Sequence, residues 1–192
     1  MPTCQVTAKN FSDYSMDLVW ENAQDMEHVG TLHSNTNIAF EIISVEKSDD
    51  KKFLYRQLAY SATRKVFGFI PMKTFGYRKI IKKYYLVQVE FNPLLNIRSE
   101  LLSTILPHPN DEQKCIMVDH VSINIPWWLL PLKNVMSRAI LRHAKTQCEE
   151  DEDFRARRKV LLDKKINIPP SLFNESFIQK FEKKVTAKYD VR

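Results

Sequence analysis

The stretch LKNVMSRAILRHAKTQCEEDEDFRARRKVLL, residues 132–162, decides the fold that we predict for this chain of 192 residues. Its apolar residues recur with a period of about 3.6, which predicts one amphipathic helix with a single apolar stripe. At about thirty residues, this helix is far longer than the average helix of globular proteins. The stripe contains Leu132, Val135, Met136, Ala139, Ile140, Ala144, Cys148, Phe154, Leu161 and Leu162. Pro169 and Pro170 stop the helix, because proline cannot continue it.

Before Pro131 the apolar residues alternate with a period of two, which is typical of β-strands. We expect strands over residues 37–45, 53–60, 84–91, 95–106 and 115–125, with residues 63–69 continuing the sheet. A short helix within residues 16–29 comes before them. This order predicts an α+β fold in which a curved antiparallel sheet wraps around the long C-terminal helix and leaves a hydrophobic cavity. The domain spans residues 1–165, and residues 166–192 form a tail with a short helix.

The composition is that of a soluble globular protein. Apolar residues make up 44% of the chain and charged residues 27%, which are ordinary values. The three cysteines, Cys4, Cys115 and Cys148, form no C-x2-C pair, so we expect reduced thiols and a cytoplasmic, intracellular protein. No apolar run reaches the roughly 20 residues that a membrane-spanning helix needs. Disulfide-rich and membrane-spanning classes are therefore not expected.

The positive charge is concentrated in one segment. The net charge is +6, and residues 64–83 contain seven basic and no acidic side chains. Nucleic acid is an unlikely partner, because no helix-turn-helix, zinc-finger or RNA-binding pattern accompanies this charge. A solvated basic loop, or an anionic protein or membrane neighbour, explains it more simply. Residues 68–76 within this segment form either a mobile flap or an ordinary hairpin connection.

Asp25, His28 and His33 lie in the spacing D-x2-H-x4-H. On one regular helix the two imidazoles would be roughly 140° apart. Both can bind one metal only if the helix ends between them, and Gly30 and the polar residues after His33 are suitable for ending it. The spacing therefore predicts one histidine on the last helical turn and the other just after it.

The long helix offers a third ligand. Asp151 follows Ile140 by eleven residues and Ala144 by seven, which places it within roughly 20° of both on the buried stripe. A buried carboxylate needs a partner, and a metal held by the two histidines would be one. Two histidines and one carboxylate form the facial triad of non-haem Fe(II) oxygenases. Asp25 is placed to accept a hydrogen bond from the second ring nitrogen of a ligating histidine.

These residues resemble a known family. The run Asp25-x2-His28-x4-His33 resembles the iron-binding motif of Rieske-type non-haem iron oxygenases, and Glu150-Asp151 is similar to the later carboxylate of that family. The resemblance implies the helix-grip fold of the START/polyketide-cyclase (SRPBCC) superfamily. It implies a mononuclear Fe(II) bound by His28, His33 and Asp151. Asp25 would be the catalytic residue that links the iron to a neighbouring subunit's cluster, in a homo- or hetero-oligomer.

The chain departs from that family in one large respect. It contains no C-x-H or C-x2-H pair, so we expect no [2Fe-2S] cluster in this chain and electrons from a Rieske or ferredoxin-type donor protein. Two functions follow. The first is a non-haem Fe(II) oxygenase-like catalytic domain, of the hydroxylase or monooxygenase type, that acts on a hydrophobic small molecule. The alternative is a non-catalytic START-like protein that binds a lipid or another hydrophobic ligand.

Three further residues are candidates for the ligand cavity, namely Phe40, Tyr85 and His120. His120 is expected to face the cavity, where it would either orient a substrate or be a satisfied core histidine. Trp127 and Trp128 lie between two prolines. They form either a surface for a partner or for peripheral membrane contact, or a cap on the end of the sheet.

Overall fold

The computed structural model describes residues 2–26, 37–50, 53–66 and 70–166. These ranges form one antiparallel sheet of seven strands, in the order β1-β7-β6-β5-β4-β3-β2. The strands are β1 (Thr3–Ser12), β2 (Asn37–Glu46), β3 (Gln57–Val66), β4 (Ile70–Lys82), β5 (Tyr85–Asn92), β6 (Ile97–His108) and β7 (Asp111–Asn124). The strands predicted from alternation correspond to β2, β3, β5, β6 and β7. The predicted flap or hairpin connection is largely strand β4, and residues 67–69 lie outside the described ranges.

The sequence pattern does not predict β1. Its inward apolar residues are Cys4, Val6 and Ala8, which are small and separated by polar residues, so the alternation is weak. The strand forms by pairing with β7 over ten register positions, from Thr3 opposite Asn124 to Ser12 opposite Cys115. Pairing with a long neighbour therefore outweighs a weak intrinsic preference.

Two α-helices of the described residues flank the sheet. Helix α1 (Met16–Gln24) begins after Ser15, whose hydroxyl accepts a hydrogen bond from a backbone N–H of the first turn at 3.4 Å. It ends at Gln24 and is therefore shorter than predicted. A 3₁₀ turn (Trp127–Leu132) leads into α2 (Lys133–Asp163), whose 31 residues confirm the predicted long helix. Among the described helices, none combines the length and the apolar character needed to cross a membrane.

Helix α2 lies beside β1 and runs in the same direction. Near the start of α2, the hydroxyl of Ser137 lies 3.0 Å from the Cys4 sulfur, and further along Glu152 accepts a hydrogen bond of 2.7 Å from Ser12. Near its end, Arg158 forms an ion pair with Glu21 of α1 at 3.3 Å. The molecule thus has an α1 end, where α1 meets the end of α2, and a tryptophan end, where the 3₁₀ turn meets the start of α2.

Side chains alternate between the two faces of each strand, and those that point toward α2 form the inner face. On β1 these are the even-numbered residues, because Cys4 and Ser12 contact α2. The strand register from β1 through β7 and β6 to β5 places Leu86, Gln88 and Glu90 of β5 on the same face. At the α1 end this face is the apolar core. Its buried members include Val19, Trp20, Leu58, Ile80, Leu86, Ile105 and Cys115.

Candidate functional site

The inner face is closed at the α1 end and open toward the tryptophan end. The core residues of the α1 end are all buried. Nearer the tryptophan end, Cys4 and Met72 of this face are buried, but five of its apolar residues are only half-buried although they face α2. These are Val6, Ile97, Leu101, Val121 and Ile123. Within the described part of the chain, this surface between α2 and the middle of the sheet is therefore incompletely covered, and we call it the trough.

A hydrogen-bonded charge network forms one side of this trough, on β3 and β5. Glu90 is 9% exposed and accepts hydrogen bonds from both terminal nitrogens of Arg64, at 2.7 and 2.5 Å. It also accepts one from the Tyr60 hydroxyl at 2.6 Å and one from the Gln88 amide at 3.0 Å. A buried carboxylate is costly without partners. These four hydrogen bonds compensate the charge of Glu90 inside the fold.

The network also changes how its members titrate. Burial alone would lower the pKa of Arg64, but the carboxylate of Glu90 beside it raises that pKa above its ordinary value. Burial, together with the charge of Glu90, raises the pKa of Tyr60 far above its ordinary value. Tyr60 therefore remains a hydrogen-bond donor at physiological pH.

Arg78 of β4 connects this network to the α1 end. Two of its nitrogens donate to the side-chain oxygen of Gln88, at 2.9 and 2.7 Å. The remaining terminal nitrogen donates to the backbone carbonyl of Ala23 at 3.0 Å and lies 3.3 Å from the Met26 sulfur. Arg78 thus fixes the end of α1 against the inner face of the sheet.

Asp119 of β7 is a second carboxyl group on the inner face. Burial raises its pKa above the ordinary value of 3.8, while a hydrogen bond from Ser103 and the charge of Arg78 oppose the shift. Asp151 of α2 is close enough to raise the pKa of Asp119 further. A carboxyl group with a raised pKa in a cleft is a candidate to give a proton to, or take one from, a bound molecule.

Solved structures share this architecture. A START superfamily protein from Mycobacterium smegmatis is 8% identical, with a TM-score of 0.61 over 80% of this chain and 97% of that chain. The Zhui aromatase/cyclase from Streptomyces sp. R1128 is 11% identical, with a TM-score of 0.64 over 82% of this chain and 96% of that chain. Norcoclaurine synthase from Thalictrum flavum is 11% identical, with a TM-score of 0.59 over 82% and 97%. No family model and no curated protein matches the sequence.

The chain has the helix-grip fold. Its curved antiparallel sheet of seven strands and its long C-terminal helix match the START-like structures, which confirms the predicted fold class. At these identities the likeness shows the fold alone. The START-like structures named above do not support the Rieske oxygenase part of the resemblance.

The two histidines predicted to bind iron, His28 and His33, fall in residues 27–36, outside the described ranges. Helix α1 ends before both of them, at Gln24. Among the described residues of this helix-grip protein, no group of three His, Cys, Asp or Glu side chains is arranged to hold a metal ion. The iron site stays a prediction.

Both carboxylates assigned to that site lie next to arginines. The side chain of Asp151 is 16% exposed, so it is turned inward as its helical phase predicts, and its Oδ2 lies 3.3 Å from Arg155. Asp25 is 7% exposed, and its Oδ2 lies 3.5 Å from Arg158. An arginine guanidinium therefore lies beside each of the two carboxylates. The described contacts provide a partner for both without a metal.

The three cavity candidates do not share one face. Phe40 is on the inner face, where its ring centroid lies 5.2 Å from that of Tyr60. Tyr85 and His120 belong to the outer face, and His120 is exposed with its Nδ1 2.9 Å from the Thr7 hydroxyl. The expectation that Tyr85 and His120 line the cavity is corrected, because alternation separates two faces without telling which one is inward.

The sequence interpretation missed the charged groups of the inner face and of the buried side of α2. On the sheet they are Arg64, Arg78, Glu90 and Asp119, and on α2 they are Arg155 and Arg158. A signal was present in β5, where Gln88 and Glu90 alternate with Val87 and Val89. Polar residues at every second position of a strand indicate one polar face, and here that face points inward. The partners of these residues come from distant segments, so spacing along the chain does not reveal them.

Proposed function

We propose that this helix-grip protein binds a hydrophobic small molecule in the trough between α2 and the inner face. The proposal rests on the half-burial of Leu101, Val121 and Ile123, which point toward α2. Apolar residues under a helix are usually fully buried, and a concave apolar surface with few polar groups is typical of small-molecule sites. The norcoclaurine synthase structure, which has the same fold, contains a transition-state analogue.

The polar groups of the trough limit the ligands that fit. Arg64 and Glu90 neutralise each other in a close ion pair, so these two residues add hydrogen bonds and no net charge to this side of the trough. On the other side, Asp119 and Ser103 add a donor and acceptors. An apolar molecule with one or two uncharged oxygens can meet both surfaces, whereas a strongly charged ligand would lose hydration without a matching countercharge.

A matched pair of substitutions on β6 tests this proposal. Leu101 lies on the inner face, and Leu102, the next residue, lies on the outer face opposite Val87 and His120. Leu101→Trp adds bulk inside the trough. We expect it to weaken the binding of Nile red, an uncharged fluorescent hydrophobic probe, by about tenfold or more. Leu102→Trp adds the same bulk outside the trough and should leave binding unchanged.

The unfolding midpoint of each variant is measured in parallel, so that loss of the fold is not mistaken for loss of the site. The proposal fails if a folded Leu101→Trp variant binds the probe as tightly as the parent does. It also fails if both tryptophan variants weaken binding equally, because the probe would then bind without distinguishing the two faces.

A further inference from the structure

The tryptophan end exposes a group of large apolar side chains. Trp127 and Trp128 of the 3₁₀ turn are 77% and 51% exposed, and Leu94 of the turn between β5 and β6 is 83% exposed. Leu130 and Leu132 are also exposed. The two tryptophans line an open pocket of about 370 Å³ together with Leu95 and Asn96 of the β5–β6 turn, so the 3₁₀ turn and the β5–β6 turn are neighbours and form one patch. Single exposed apolar residues are common, but a contiguous patch indicates a surface that another molecule covers.

Positive charge surrounds this patch. Asn124 pairs with both Thr3 and Arg98, and the Asn92 amide donates to the Lys73 carbonyl at 3.1 Å, so β1, β4 and the β5–β6 turn all reach this end. The segments around the patch, residues 2–6, 70–74, 91–99 and 123–148, contain no acidic residue, although the exposed Glu100 lies two positions after Arg98. Their exposed basic residues include Lys73, Arg98, Lys133, Arg138 and Arg142.

The acidic residues are concentrated at the opposite end. Asp13, Asp17 and Glu21 lie at or beside α1, and Asp111 and Glu112 begin β7. At that end Lys83 pairs with Asp17 and Lys114 with Asp13, so its charge is mixed. The tryptophan end is apolar and basic, and it lies next to the half-buried part of the trough.

We propose that the tryptophan end docks on an anionic phospholipid surface. Tryptophan side chains favour the boundary between lipid headgroups and hydrocarbon, and basic residues beside them are attracted to anionic headgroups. Basic residues outnumber acidic ones in the segments around the patch, so attraction to such a surface outweighs repulsion. A hydrophobic ligand would then pass between lipid and trough at the end where the trough is open. The docking surface does not depend on which ligand the trough binds.

Vesicle sedimentation with the full chain tests the proposal. We expect the protein to sediment with vesicles of phosphatidylcholine and phosphatidylserine, less with phosphatidylcholine alone, and less as salt is added. Combined replacement of Trp127→Ala and Trp128→Ala should weaken binding by about tenfold or more. The control is Phe11→Ala, because Phe11 is an aromatic side chain, 68% exposed, at the α1 end. It should bind vesicles like the parent.

Three outcomes overturn the proposal. The first is no sedimentation with either vesicle type. The second is equal loss of binding in the tryptophan variant and in the Phe11 control. The third is a parent that self-associates in gel filtration and becomes monomeric in the tryptophan variant without vesicle binding, since a second copy would then cover the patch. Leu101→Trp, which blocks the trough, should still bind vesicles, so failure of the trough and failure of the docking surface are distinguishable.

Discussion

Gly76→Ala is the substitution for which the structure makes the sharpest prediction. Gly76 lies in β4, directly between Tyr60 of β3 and Glu90 of β5. A Cβ at this position would lie 2.6 Å from Cζ and 2.7 Å from the hydroxyl oxygen of Tyr60, and 3.0 Å from the carbonyl oxygen of Val89. Tyr60 is 1% exposed and bonded to Glu90, so it can move away only by leaving its hydrogen bond.

The magnitude follows from three contributions. Replacing glycine by alanine at an unstrained position stabilises a protein by about 0.4–1 kcal/mol. Overpacking a buried site costs about 1–3 kcal/mol, and losing a hydrogen bond to a charged acceptor costs about 1.5–3 kcal/mol. The contact with Tyr60 therefore decides the sign. We expect Gly76→Ala to lower the free energy of unfolding by about 2–4 kcal/mol.

Urea denaturation of a double-mutant cycle measures this effect. In a Tyr60→Leu background the ring end and hydroxyl are absent, so Gly76→Ala should cost much less there than in the parent. We expect a coupling of about 1–3 kcal/mol between the two positions. A neutral or stabilising Gly76→Ala in the parent, or equal costs in both backgrounds, would refute the assignment of Tyr60 as the group that lies over Gly76.

Two further predictions concern titration and metal. Burial raises the pKa of Asp119 above 3.8 in the folded protein, so the fold favours the protonated carboxyl. This stabilisation is complete below the pKa that Asp119 has in the unfolded protein, and it is lost as pH rises through the pKa that it has in the folded protein. Asp119→Asn should therefore raise the free energy of unfolding at neutral pH, with a gain that disappears at acidic pH in denaturation curves. The predicted iron site requires stoichiometric Fe(II) after anaerobic loading, lost in His28→Ala. Metal analysis that finds no iron in the parent contradicts it, whereas Asp151→Ala is less decisive because Asp151 also pairs with Arg155.

The order of strands and helices was largely predictable because the spacing of apolar residues along the chain differs between strands and helices. The change from a period of two to a period of 3.6 after Pro131 is local information, and it defines both the sheet and α2. The residues of a strand do not by themselves determine which of its two faces points inward. The apolar residues Val87 and Val89 share one face of β5, and that face is the outer one. The pairing of β5 with its neighbouring strands decides which of its faces points toward α2. The turns between the strands set that pairing.

The candidate site was harder to predict because its charges are satisfied by distant partners. Arg158 is 5% exposed and pairs with Asp25, which lies 133 positions earlier in the chain. Taken alone, Arg155 and Arg158 are typical of a solvated helix face, since arginine is rarely buried without a partner. The helical phase correctly indicated that Asp151 turns inward. It could not indicate that Arg155, four residues later on the same face, would be its neighbour.

The buried arginines also explain why the trough opens at the tryptophan end. Within the described helix α2 the buried residues are Cys148, Arg155 and Arg158, all in its second half. Arg158 attaches this half to α1, and Arg155 contacts Met117 of β7 at 3.3 Å. The first half has no buried side chain, so it is held mainly by its edge contact with β1. The half without buried side chains therefore covers the inner face less completely than the half that Arg155 and Arg158 attach. Widening the trough there breaks few contacts, whereas entry at the α1 end would require separating buried ion pairs.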